Sequence, residues 1–437
     1  MKKILPLLIS VTLGSASSLA YAEDLAEIYN LAKENDPTLL RSAANRDAAF
    51  EAITSSRSTL LPQINLTAGY DIKRSDPSSN SAENNALSAG INFTQELYKR
   101  SSWITLDQAE KTARQSDAAY AAEQQNLILR VSTAYFEVLR AQDSLEFVRA
   151  EKAAVARQLE QTKQRFEVGL SAITDVHDAQ AQYDTVLANE VVSENNLINS
   201  YESLREITGQ AHTNLDILDT ARFSADRMNE SPEVLLEQAQ TQNLTLLTAR
   251  IAQDIARDNI SLASANRLPS LTLDGGYNYS DISNMPSAPD ADSNNFNIGL
   301  NLSVPLYTGG NLTSLVKQAE FNYVAASEDL EASYRSIVTT VRSSYNNVNA
   351  SIGTIKAYEQ SVVSAKSALE ATEAGFDVGT RTIVDVLDST RSLYDANRNL
   401  SDARYNYIIS ILNLKQAVGT LSEQEILDIS AGLKSAS

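Results

Sequence analysis

The sequence predicts a mixed α and β chain in which long coiled-coil helices carry short β-strands, too few to close a barrel within one copy. Three observations predict it. The chain repeats itself once, at offsets between 207 and 210 residues. Within each half the hydrophobic period switches from helical to alternating and back. Residues 101–168 and 312–376 contain no proline, and the first stretch contains no glycine either.

Lys2 and Lys3 open the chain as a positive segment, Ile4 to Leu13 form a short apolar run, and Ala20-Tyr21-Ala22 is an A-x-A site for cleavage before Glu23. The run is shorter than the roughly 20 residues a spanning helix needs. Residues 1–22 therefore read as a signal peptide, followed by a first structural repeat over 23–230 and a second over 231–437 that includes a C-terminal equatorial segment. No later segment reads as a transmembrane helix, which leaves a periplasmic protein, a secreted protein or an outer-membrane β-barrel.

Composition narrows the chemistry. There is no cysteine, so disulfides, thiol catalysis, cysteine metal sites and a lipid-modified cysteine are excluded. The net charge of −19, more negative still once Lys2 and Lys3 are removed, argues against nucleic acid as a partner. No phosphate-binding loop, dinucleotide fingerprint or H-E-x-x-H zinc motif occurs. His177 and His212, the only histidines, have no spacing-matched ligand partners. No enzyme activity, cofactor or metal is expected.

The repeat is read from matched segments. Asn35-Asp36-Pro37-Thr38-Leu39-Leu40 answers to Gln242-Asn243-Leu244-Thr245-Leu246-Leu247, and Leu61-Pro62-Gln63-Ile64 answers to Leu268-Pro269-Ser270-Leu271. Phe166-Glu167-Val168-Gly169 answers to Phe376-Asp377-Val378-Gly379. Residues 24–60 are expected as one helix, ended by Pro62. From Ile64 the period becomes two: Ile64, Leu66, Ala68, Tyr70 and Ile72 alternate with Asn65, Thr67, Gly69, Asp71 and Lys73. After a loop over 74–86, Leu87, Ala89, Ile91 and Phe93 do the same. The second half repeats both strands around Leu271 and Phe296, with a loop over 282–295.

Four strands of about ten residues fit a tilted membrane crossing. Lipid offers no partner to an open sheet edge, and membrane barrels begin at about eight strands, so several chains would have to share one barrel. Asn65, Thr67, Asn92, Thr94, Asn278, Asn297 and Asn301 would line water, while Tyr70, Tyr98, Trp103, Tyr277, Tyr279 and Tyr307 are candidates for interfacial girdles. A soluble antiparallel sheet with one wet face has the same alternation. The helices weigh against it. A continuous helix over 101–168 is a rod roughly 100 Å long that buries little of itself and must pack on others. Each rod ends in a Val-Gly turn, with glycine suited to the left-handed position, and a second helix follows over 172–208 or 382–418. Asp385 and Asp388, three apart, share one face of the last of these.

Several segments resemble the TolC family of outer-membrane factors. They are Ala172-Ile173-Thr174-Asp175-Val176, Tyr183-Asp184-Thr185-Val186-Leu187-Ala188-Asn189-Glu190, and Val378-Gly379-Thr380-Arg381-Thr382-Ile383-Val384-Asp385-Val386-Leu387-Asp388. The resemblance covers residues 24–427 and implies a homotrimer. Four strands per chain would make a 12-stranded outer-membrane barrel, continuous with a 12-helix periplasmic α-barrel and a small equatorial belt holding 209–232 and 419–437. It also implies an exit duct in contact with outer-membrane lipid. A periplasmic adaptor (membrane fusion) protein and an inner-membrane efflux pump or ABC secretion transporter would be its partners, exporting drugs, toxic small molecules or proteins.

Residue roles follow from the same resemblance. Thr174, Asp175, Phe376 and Arg381 match a periplasmic gate that links helix pairs, where an Arg–Asp contact is charge-assisted. The family has a tyrosine at the Phe376 position; the missing hydroxyl implies a gate that leans on Arg381 and opens more readily. Asp385 and Asp388 match stacked carboxylate rings that select cations, a geometry in which like charges raise carboxylate pKa values. Val168, Gly169 and Leu170, with Val378, Gly379 and Thr380, match the turns where the adaptor docks.

Overall fold

The computed structural model describes residues 23–75, 82–228, 230–283 and 291–435; the expected signal peptide lies outside them. In chain order the elements are α1 (Leu25–Asn35), α2 (Pro37–Ser58), β1 (Gln63–Ser75), β2 (Ala82–Tyr98), α3 (Arg100–Glu167), α4 (Ile173–Thr208) and β3 (Ile217–Leu218). There follow α5 (Pro232–Gln242), α6 (Leu244–Ala265), β4 (Ser270–Ser283), β5 (Ala291–Ser303), α7 (Asn311–Asp377), α8 (Ile383–Val418), α9 (Glu423–Ser430) and β6 (Leu433–Lys434). Among the described residues, no helix is long and apolar enough to cross a membrane.

The single helix expected over 24–60 is two. Pro37 removes an amide and pushes Asp36 out of the helical region, to ψ 117°. The Asp36 carboxylate then caps the second helix by accepting from the Leu39 amide at 2.8 Å. Asn243 does the same between α5 and α6, accepting from Leu246 at 2.9 Å. The expected loops are also shorter than read: β1 runs to Ser75, β2 begins at Ala82, β4 runs to Ser283 and β5 begins at Ala291. The polar residues there keep the alternation going, and what remains of both loops lies outside the described residues.

The four long strands form one antiparallel sheet in the order β1-β2-β4-β5. Its register sorts side chains by polarity. Leu66, Ile91, Tyr277 and Phe296 form one cross-strand row, and the next row is Asn65, Asn92, Gly276 and Asn297. Tyr277 therefore stands in mid-strand rather than at a strand end, and Trp103 belongs to the first turn of α3. Ile64, Leu66, Phe296, Ile298, Leu300 and Leu302 are all exposed, so the apolar face has no cover within the chain. Both edges, β1 and β5, are long and unpaired among the described residues.

The long helices pack side by side in one layer. Below the equator the packing order is α4–α3–α8–α7, and toward the sheet it is α2–α3–α6–α7. Helices α2 and α4 thus share one edge rod, while α7 is the other edge. At the equator, β3 pairs with β6, Glu23 bridges to Leu215, and α9 packs on α1 and α3. Leu25, Ile28, Tyr135, Phe136, Leu204, Leu412 and Ile426 form the core there, with the Tyr135 hydroxyl donating to the Asp216 carbonyl at 2.7 Å. Of the two segments expected in a belt, Ile217–Leu218 and Leu433–Lys434 pair here.

Candidate functional site at the helix-hairpin tips

Both rods end in the same turn. Gly169 and Gly379 each sit at φ 79°, a conformation that costs a side-chain-bearing residue about 1–2 kcal/mol. The Leu170 amide donates to the Arg165 carbonyl at 2.8 Å and Gly169 to Phe166 at 2.9 Å, which is the Schellman pattern. The second turn repeats it, with Thr380 donating to Gly375 at 2.8 Å and Gly379 to Phe376 at 3.1 Å. These turns push Val168, Leu170 and Val378 into solvent at 70%, 74% and 76% exposure, so the end of each hairpin presents apolar side chains.

The helices that leave the turns start differently. Thr382 and Asp385 form a full capping box on α8: the Asp385 carboxylate accepts from the Thr382 amide and hydroxyl, both at 2.9 Å, and the Thr382 hydroxyl accepts from the Asp385 amide. Those two bonds to Thr382, with the Arg381 charge adding less, hold the Asp385 carboxyl below the usual carboxylate range. On α4, Asp175 accepts from the Ala172 amide at 3.1 Å, but alanine has no hydroxyl to reciprocate.

The predicted gate residues lie in two sequence-distant groups, Thr174 and Asp175 at the start of α4 and Phe376 and Arg381 around the end of α7, and they are not joined. Among the described residues, Asp175 makes no ion pair with Arg381 within the chain. Arg381 instead lays its stem across Gly375, where a β-carbon would come within 2.7 Å of its Cγ. Phe376 is partly buried against a cluster formed by Val155, Leu159, Val186, Ile383, Val386 and Leu387. Thr174 is exposed on the first turn of α4. Asp388 is exposed and lies 3.7 Å from Arg391, which donates to Gln182 on α4 at 2.5 Å. Asp385 and Asp388 do share the start of α8.

Sequence reasoning missed Arg165 and Gly375. The Arg165 guanidinium lies over the Phe376 ring, 4.5 Å from its centroid, and faces the carbonyls of Phe376 and Asp377 at 3.5 and 3.4 Å. The two positions are repeat equivalents, 210 apart, where one half has arginine and the other glycine. The neighbouring pairs Lys163/Glu373 and Gln164/Ala374 differ as well, so nothing in the sequence singled these positions out.

The arrangement offers packing, capping and charge, and comparison places it. The outer membrane efflux protein family model matches residues 28–210 and 235–420. The chain is 71% identical to outer membrane protein TolC of Vibrio cholerae over 436 residues, covering 99% of each chain. It is 27% identical to the alkaline protease secretion protein AprF of Pseudomonas aeruginosa, over 95% of this chain and 88% of that one. Its fold is similar to that of CusC, a transmembrane channel, with a TM-score of 0.79, 18% identity and coverage of 91% of this chain and 92% of that one. With both matched segments falling on the same helix, strand-pair and helix-hairpin order, the chain belongs to the outer membrane efflux protein family.

Proposed function

We propose that three copies of this chain assemble into one conduit that spans the outer membrane and crosses the periplasm, serving efflux and type I secretion. The chain is an outer-membrane exit channel of a non-enzymatic family. The observation that supports a closed ring is that sheet and helix layer both end on unpartnered elements, β1 with α2 and α4 on one side and β5 with α7 on the other, while the number three is what the family resemblance implies. Joining β5 and α7 of one copy to β1, α2 and α4 of the next is a head-to-tail contact that closes a ring. Three copies would give 12 strands, enough to remove every edge, and 12 rods below. The exposed apolar face carrying Leu66, Ile298, Leu300 and Leu302 then meets lipid, and the opposite face with its asparagines lines water.

On this reading the two structural repeats, 23–230 and 231–437, supply alternate rods of the tunnel, after removal of the signal peptide 1–22. The exposed Val168, Leu170 and Val378 suit the turns to docking a periplasmic adaptor, which connects the duct to an inner-membrane efflux pump or ABC secretion transporter. Energy comes from that transporter. Asp385 and Asp388 would project as carboxylate rings at the narrow end, next to the gate residues Thr174, Asp175, Phe376 and Arg381. Threefold convergence raises carboxyl pKa values and opposes the lowering that Thr382 imposes on Asp385 in the single chain.

The test is single-channel recording of the purified protein in planar bilayers, with an Asp385→Ala/Asp388→Ala variant beside it. Small cation-selective openings, with selectivity that falls in the variant, are expected. No openings would instead support an anchored structural coiled coil, and openings of unchanged selectivity would move the filter away from these rings.

A further inference from the structure

We propose that Arg165 is a positioning residue that latches one hairpin end to the other, a role that rests on the tip being the closable end of the duct. Its backbone carbonyl closes the turn of its own hairpin by accepting from Leu170 at 2.8 Å. Its side chain reaches the neighbouring hairpin. The guanidinium stacks over Phe376 at 4.5 Å and faces the final carbonyls of α7. Those carbonyls carry the negative end of a 67-residue helix, and the Phe376 carbonyl is already shared with the Gly379 amide. A planar cation over an aromatic ring and against a helix C-terminus is favoured by all three partners at once.

Other polar links between the hairpins lie away from the turns. Gln158 donates to Thr390 at 2.9 Å, and Arg391 reaches Gln182. Arg165 alone among these touches the last turn of α7, so it sets the register between the two exposed docking turns. It also explains what Phe376 does without a hydroxyl: the ring is the surface on which the arginine rests. Glycine at the equivalent position, 375, leaves room for the Arg381 stem, so the second hairpin gives up its own copy of the latch.

The test is a double-mutant cycle of Arg165→Gln and Phe376→Leu, read as single-channel open probability. An exposed cation–π contact corresponds to roughly a two- to five-fold change per chain, or on the order of ten- to a hundredfold for three chains acting together. Each single variant should open more, and the double no more than either. Effects that multiply, or an Arg165→Gln channel that opens like the parent, overturn the latch. A second readout does not depend on conduction. The chain has no cysteine, so spin labels can be placed at Lys163→Cys and Glu373→Cys alone. In mixed assemblies carrying one labelled copy, Arg165→Gln should lengthen and broaden the separation, and Arg165→Lys should restore part of it. Pores absent from every variant but a lengthened separation would refute the duct and keep the latch. An unchanged separation refutes the latch whatever the pores do.

Discussion

Asp36 and Arg130 make a prediction whose size and pH dependence both follow from the structure. Asp36 is 2% exposed at the junction of α1 and α2. Its carboxylate accepts from the Leu39 amide at 2.8 Å and from both terminal nitrogens of Arg130 on α3, at 3.0 and 2.7 Å. Burial pushes this carboxyl up, but the Arg130 guanidinium and the Leu39 and Thr38 amides outweigh it and hold it below the usual range. Arg130→Met leaves a buried carboxylate with amides alone. Breaking a fully buried pair costs about 3–5 kcal/mol. The Arg130 side chain keeps 35% exposure, so screening lowers the expected loss to about 2 kcal/mol. Asp36→Asn with Arg130→Met reproduces the uncharged cap that Asn243 provides in the second half, and should return to within about 1 kcal/mol of the parent. A carboxyl with a depressed folded pKa contributes stability above its unfolded value, which is lost as pH falls through the folded one. The Arg130→Met penalty should thus be full at neutral pH and shrink near pH 3. Thermal unfolding followed by helical circular dichroism at the two pH values measures it. Equal loss in the single and double variants, or a penalty indifferent to pH, would refute this account.

Two further outcomes are expected. Phe376→Tyr adds a hydroxyl at the tip; a new bond to a charged group, worth about 1.5–3 kcal/mol, should cut open probability by about tenfold or more per chain, and unchanged gating would show that the hydroxyl finds no partner. Glu151 is 4% exposed on α3, facing Arg398, Asp395 and Arg391 of α8, and burial pushes its carboxyl up, with Asp395 adding and the two arginines opposing. A raised folded pKa contributes stability below the unfolded value and loses it as pH rises, so Glu151→Gln should stabilise at neutral pH, by about 1 kcal/mol, and do nothing near pH 4. A gain that persists in acid would refute the assignment.

The long rods were legible because proline and glycine punctuate them: α3 and α7 end within a residue or so of the Val-Gly signals. The strands were legible because polarity alternates without a fault from Ile64 to Lys73. The break at Asp36 was hidden by good helix formers on both sides, although Asp-Pro is itself a cap-and-start signal. What pairs with what was not legible. That α3 lies against α8, and that Arg165 meets Phe376 211 residues away, depend on how separate hairpins pack, and periodicity says only that a face needs a partner. The expected Arg381–Asp175 link belongs to the same class of long-range contact, and within one chain Arg381 turns to Gly375 instead.

Where the two halves differ, the magnitudes decide how the tip is held. Ile173, at the start of α4, is 47% exposed, whereas its counterpart Ile383 on α8 is 2% exposed and packs with Val386 and Leu387 against α3 and α4. Fully burying three such side chains is worth about 1.5–3 kcal/mol each, so the apolar seam contributes several kcal/mol per chain. That exceeds the roughly 0.5–1 kcal/mol of an exposed cation–π contact. The seam therefore supplies most of the cohesion, and the polar contacts at Arg165, Gln182 and Gln158 set its register. An opening that parted the seam would cost well beyond thermal energy, while a slide of α7 and α8 that kept Ile383 covered would break only the polar links. On the proposed reading, opening is therefore a slide, and a partner seated on Val168, Leu170 and Val378 would favour it by replacing some of the polar contact that the slide breaks.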